Sequence, residues 1–241
     1  GKNVVLQPLE NASDQKNKYH VKVPFLKLTS GYIHEFYTSD SIRIDSLLLD
    51  QAEIEFYSKH KSEKITLEHI SNFDLYELIG ADFKNVAISH FILNDARLKL
   101  FNFKNGYFLQ QEMGQMKLKL ENFYLDSLSI NNAEKIFYSD GLSLAVNDYK
   151  ITLGDNYNQL SICKLLASTD DEFVRIYHAQ VRPISEPIIK RDKKIAIQVD
   201  CDSLKIRETD LKQAFHSRKL PIGGVELYKP VTTITRYDAE Q

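Results

Sequence analysis

Apolar residues recur at every second position over much of this chain. Ile42, Ile44, Leu48, Ala52, Ile54 and Phe56 fall on even positions, with Arg43, Asp45, Glu53 and Glu55 between them. A period of two marks a strand with one wet face. The pattern returns in the same phase with Val86, Ile88, Ile92, Ala96, Leu98 and Leu100 even, and Ser89, Asp95, Arg97 and Lys99 odd. Residues 44–57 lie over residues 88–101 without a gap, a looser copy occupies 120–130, and a degenerate one occupies 222–234. Self-similarity at such spacing predicts a stacked or laterally repeated β architecture.

Between the halves of the first two copies stands an Asx dipeptide, Asp50-Gln51 and Asn94-Asp95, which fits either a tight turn or a bulge in one long bent strand. Leu47, Leu49, Phe91 and Leu93 put apolar character on both faces beside it, so something should cover that corner. Further strands are predicted over 64–69, 101–103, 107–110, 116–121, 142–146, 149–153, 159–168, 173–182, 194–200 and 203–207. Asn105-Gly106, Gly154-Asp155-Asn156 and Ser139-Asp140-Gly141 supply turn chemistry between them. Short helices are predicted over 74–79 and 209–215, each opened by a capping-type Asp, with a third over 30–37.

Taken together these elements predict a mainly β fold: an elongated, curved antiparallel sheet of repeated strand motifs with two or three short helices. Length fits one domain over 1–241, with a subdivision into 1–183 and 194–241 at the Pro183, Pro187 and Lys190-Arg191-Asp192-Lys193-Lys194 segment as the alternative. A formal net charge of -2 removes any general attraction to nucleic acid or an anionic membrane. Two cysteines, Cys163 and Cys201, lack the spacing of a zinc or redox site, and each sits in an apolar run that favours a buried thiol over a disulfide. No run approaches the ~20 apolar residues of a membrane helix. Gly1 stands where Met would begin a chain, so removal of an export signal or membrane anchor ahead of it is expected.

The unit of short helix followed by I-x-x-L-x-L-x-x-P/A-x-I/L-x-I, seen also in Leu220, Pro221, Ile222, Val225, Leu227, Pro230 and Ile234, resembles the AsmA-like proteins of Gram-negative envelopes. That resemblance implies a β-rich groove that moves or organises lipid, on the periplasmic side of the cell envelope, in a membrane-anchored chain. It brings no catalytic residue with it.

Chemical motifs are sparse. No P-loop, dinucleotide fingerprint, nucleophile elbow or paired-His motif occurs. His90 lies on the apolar phase of its strand and His178 on another strand, both read as structural imidazoles. Asp170-Asp171-Glu172 reads as a solvated turn, Asp200 and Asp202 as a solvent-facing pair, and the 190–194 run as a solvated basic loop. Phe91, Phe101, Phe123 and Tyr124 either fill a core or line a groove.

The leading expectation is therefore a noncatalytic envelope segment that binds lipid or another apolar ligand, needing neither cofactor nor metal. Ile44, Leu48, Ile54, Phe56, Ile88, Ile92, Leu98 and Leu100 are expected on its single apolar wall, facing lipid or core. Free sheet edges are expected to pair with another chain. The alternative is a surface or secreted β-sandwich module that presents loops to a protein or glycan. A carboxylate-based hydrolase using Asp200, Asp202 or His90 comes third.

Overall fold

Long strands dominate the computed structural model, which describes residues 1–6, 17–32, 34–58, 83–103, 107–129, 132, 134–153, 158–184, 195–217 and 219–236. The strands are β1 (Lys2–Leu6), β2 (Asn17–Thr29), β3 (Ser41–Asp50), β4 (Glu53–Ser58), β5 (Asn85–Phe103), β6 (Tyr107–Leu125), β7 (Gly141–Thr152), β8 (Asn158–Ser168), β9 (Phe173–Pro183), β10 (Ile195–Arg207), β11 (Gly224–Tyr228) and β12 (Val231–Arg236). Two short helical segments, α1 (Glu35–Thr38) and α2 (Leu211–Ser217), complete the described elements. The helix expected over 74–79, the strand over 64–69 and the basic run 190–194 lie outside the described residues.

All twelve strands join one curved sheet in the order β1-β2-β3-β5-β6-β7-β8-β9-β10-β11; β4 continues the line of β3, and β12 that of β11. Neighbours are antiparallel except where the repeat meets itself. There β3 and β4 run parallel to β5, with Ile44 beside Ile88, Asp50 beside Asn94 and Ile54 beside Leu98. Each residue of the first copy thus lies against its own counterpart in the second, and the Asn94 side-chain amide donates to the Asp50 carboxylate at 2.6 Å. Tyr57 and Phe101, again counterparts, stack at 4.7 Å. The third copy behaves differently: residues 120–125 end β6, which is antiparallel to β5, and 126–129 form the turn beyond it.

The Asx corner is a bend within a strand. Gln51 and Asp95 take φ of 57° and 48°, and β5 runs through the corner without stopping. The same happens on strand after strand. Asn3 (56°), Gln115 (44°), Asp148 (55°), His178 (50°) and Lys229 (48°) are also left-handed, and the ladder registers set them in one transverse line. Asn3 falls between the pairs that bracket Pro24, Pro24 faces the gap at Gln51, and Gln51 lies beside Asp95. Gln115 and Asp148 sit in the register shifts of β5, β6 and β7. Beyond them Asp148, Cys163, His178, Asp202 and Lys229 occupy successive skipped pairs as far as the edge. Pro24 has no N–H to place in a ladder, and this line is where a strand tolerates it.

The crease also explains the strand breaks expected from sequence. Predicted strands 107–110 and 116–121 are one strand, as are 142–146 and 149–153, and 194–200 and 203–207. Each interruption of period two marks the bend. The candidate boundary at 183–194 lies between β9 and β10, which pair directly from Val181 opposite Val199 to Phe173 opposite Arg207.

Left-handed backbone costs a β-branched side chain more than glycine. Asp95→Ile should lower stability by about 1–2 kcal/mol, while Asp95→Gly should leave it unchanged or raise it; urea unfolding midpoints of the two variants check this.

Candidate functional site

A left-handed residue inside a strand rotates the chain beyond it, so residues three apart come to share a face at the crease. Val23 and Leu26, Leu49 and Ala52, Leu93 and Ala96, Met113 and Met116, and Val146 and Tyr149 all belong to one packed cluster. A second phase change affects β3, β5 and β6 alone: Ile44 and Ile88 pack with Leu47, Phe91 and Phe123. Asn122, with φ 51°, stands at that level.

The result is an apolar wall that runs with the sheet across both bends. On one side of the crease a single row passes from Leu26 through Leu49, Leu93, Leu118 and Leu144 to Ala167, Val174, Ile206 and Val225. On the other side Val21, Ile54, Leu98 and Met113 lead to Tyr149, Ile162, Ala179 and Cys201. The opposite face is charged. Lys22, Glu53 and Arg97 alternate in sign across neighbouring strands, as do Glu55, Lys99, Glu112 and Lys150, an arrangement that stabilises a solvated ladder.

Burial shows which way the crease closes. Ala52, Ala96, Val146, Val23 and Ile162 are 0–4% exposed along the bend, yet no second sheet lies over them among the described residues. Side chains on one sheet face become that buried when neighbouring rows lean over them, and we infer from this that the sheet curves toward its apolar wall. A trough results.

One rim of the trough is covered over β6 and β7. Leu211 and Phe215 of α2 pack with Leu120, Ile136 and Leu142, and Phe137 meets Phe215 at 4.7 Å. Helix α2 comes after β10, whereas Ile136 and Phe137 lead into β7. To meet them the helix crosses three strand spacings of about 4.8 Å on the concave side. Asp210 caps it by accepting from the Gln213 N–H at 2.8 Å, and the His216 ring bonds the Lys135 carbonyl at 2.6 Å. Lys135 donates to Asp140 and holds that carboxyl below the usual carboxylate range; the Ser129 hydroxyl does the same for Asp126.

Within the wall stands one polar pair. Gln111 is 7% exposed and its side-chain amide donates to the Tyr149 hydroxyl at 2.8 Å. Burial pushes the Tyr149 phenol pKa up, so it remains neutral and keeps its own proton to donate.

Of the eight residues expected on the wall, Ile44, Ile88 and Leu100 are buried, at 7%, 6% and 1% exposure. Ile54 and Leu98 are half-buried in the main cluster, and Phe56 pairs with Leu100. Leu48 and Ile92 lie on the other face, beside Lys27 and Lys119, because the phase change after Ile44 and Ile88 turns them outward. The same change exposes His90 opposite Glu121, off the apolar phase expected of it. Of the aromatics, Phe91 and Phe123 pack in the wall, Phe101 stacks on Tyr57, and Tyr124 is 39% exposed. Sequence reasoning missed Leu49, Leu93, Leu118, Leu144, Gln111 and Tyr149; a step of three in the apolar pattern at each break of alternation was the signal that pointed to them.

The remaining candidates sit on the surface. Neither cysteine is buried: Cys163, on the crease line itself, is exposed, and Cys201, in the apolar row beside it, is partly so, both as free thiols. Asp200 pairs with Arg182 at 2.8 Å, and Asp202 with Lys229 at 3.4 Å and His178 at 3.9 Å. Residues 169–172 form the turn between β8 and β9. No helix among the described residues is long and apolar enough to cross a membrane. Compared with models of known protein families and with curated proteins, the chain matches none.

Two measurements test this arrangement. Leu100→Ala should cost about 2–4 kcal/mol and Ile92→Ala less than about 1.5 kcal/mol, read from chemical unfolding. Asp140, depressed in the folded state, contributes stability that is complete above the unfolded carboxylate value of about 3.9 and is lost as pH falls through its folded pKa. Asp140→Asn should therefore flatten the acid limb below about pH 4, checked by unfolding midpoints from pH 7 down to pH 2.

Proposed function

We propose that this chain is a noncatalytic β-repeat segment of the cell envelope that binds lipid in its trough and helps move or organise it, as the AsmA-like resemblance implies. The observation that carries this reading is the apolar row from Leu26 to Val225, continuous over nine strand positions, with the α2 cluster at Leu118 and Leu144 and no facing sheet among the described residues. An apolar face of that extent must be covered to be stable in water. Acyl chains fit a long trough whose far side is charged, and the Tyr149 hydroxyl offers an ester or headgroup acceptor one oriented hydrogen bond. The alternative of a sandwich module requires a second sheet packed on this wall.

Lipid extracted from the purified protein and identified by mass spectrometry is the direct test. Ile151, Leu160 and Val181 are successive partners two positions beyond Tyr149, Ile162 and Ala179 on the same face, so acyl lipid should co-purify with the wild type and fall at least several-fold in the double variant Ile151→Asp, Val181→Asp, whose circular dichroism should remain that of a β protein. A lipid-free wild type that also fails to take up a fluorescent acyl probe would overturn the reading.

A further inference from the structure

The repeat has a second level, and it exposes an edge whose occupant can be read from its counterpart. Strand β10 spans Ile195–Arg207 and β2 spans Asn17–Thr29, a displacement of 178 residues at both ends. The same displacement relates the end of β11 at Tyr228 to that of β3 at Asp50, and all of β12 to all of β4. It also carries Gln51 (φ 57°) onto Lys229 (φ 48°). Pairing agrees too, since Phe25 opposite Asp50 and Lys22 opposite Glu53 become Ser203 opposite Tyr228 and Asp200 opposite Val231. Two units of strand, short helix and bent strand are therefore superimposable in register.

They differ at the outer edge. In the first unit the bent strand is covered by β5: the Gln51 N–H donates to the Asn94 carbonyl at 2.9 Å, and the Arg97 N–H to the Ala52 carbonyl at 2.8 Å. The equivalent Lys229 N–H and Pro230 carbonyl have no partner among the described residues. Beside them Val225, Leu227, Val231 and Ile234 are 54–66% exposed. Unpaired backbone and apolar side chains along one strand are a template for strand addition.

We propose that the β11–β12 edge binds a bent strand of the repeat motif from another polypeptide, running parallel, with its left-handed corner residue beside Lys229. The register of β3 and β4 on β5 fixes the chemistry of the occupant. Apolar residues belong four and two positions before the corner and one and three after it, as Phe91, Leu93, Ala96 and Leu98 stand around Asp95. They would extend the concave wall beside Val225 and Leu227. An acidic corner residue would meet the Lys229 ammonium, and the residue after it should be small. This surface is independent of whether the trough holds lipid.

A labelled synthetic peptide of residues 85–103, titrated into the intact protein and monitored by fluorescence anisotropy and amide hydrogen exchange, tests it. Saturable one-to-one binding with new protection in residues 224–236 is expected. A peptide lacking Asn94 and Asp95 places Leu93 and Ala96 on opposite faces and should bind at least about tenfold more weakly. The variant Val225→Lys, Leu227→Lys changes side chains already more than half exposed, and should lose binding to the same degree while keeping its unfolding midpoint. No saturable binding at millimolar peptide, equal binding of the shortened peptide, or protection confined to β1, β2 or the trough would each overturn the proposal.

Discussion

Everything in this molecule depends on strands giving way at the same level. Antiparallel and parallel ladders keep register only if neighbours rise together, so a bend in one strand must be matched in the next or the hydrogen bonds between them are lost. Here the line from Asn3 to Lys229 crosses every strand position. Seven non-glycine residues on that line accept a conformation that costs each roughly 1 kcal/mol. What offsets this is the step of three. It returns the apolar side chains to the same face after the bend, so that Ala52, Ala96 and Val146 are covered by their own neighbours instead of being turned out to water.

The repeat works through that constraint. Displacement by 44 residues lays one bent strand along another in parallel, like against like, with Asn94 donating to Asp50 and Tyr57 stacked on Phe101 as consequences of identical spacing. Displacement by 178 residues reproduces an antiparallel unit together with its connecting helix. Both preserve the corner. A bent strand can be copied and added beside another only if its corner falls on the existing crease, which explains why Gln51, Asp95 and Lys229 share a backbone conformation but no side-chain chemistry.

Much of the architecture was legible in residues alone. Alternation placed the strands, and the Asp50 and Asn94 corners located the bend on the first two copies. What alternation could not reveal was that its own interruptions lie in one line, because ladder register is a property of pairs of strands and local pattern a property of one. Gln115, Asp148 and Asp202 are ordinary polar residues until their neighbours across the sheet are known. The wall was only partly legible for the same reason. Extending a single even phase through Leu48 and Ile92 puts them inward, whereas two phase changes within ten residues turn them out and bring Leu49 and Leu93 in. His90 is placed inward by the same rule and faces outward for the same cause, while Cys163, expected inward from its apolar run, is exposed on the crease line.

A sheet with one charged face and one apolar concave face has an asymmetry that constrains what it can do. Opposite charges alternate across β4 to β7 on the convex side, so that side is satisfied by water and by itself. Among the described residues, the concave side is covered only where α2 and the residues around Ile136 rest on it. Because α2 is anchored through Asp210, His216 and the Lys135–Asp140 pair, it holds one rim of the trough over β6 and β7 and leaves the rows around Met113, Ile151 and Val181 without a covering element among the described residues. Under the proposed function, what lies on those rows would be apolar along its length and able to bend at a crease. A flexible chain meets both conditions more readily than a rigid one, since it curves with the wall at little cost in torsional strain.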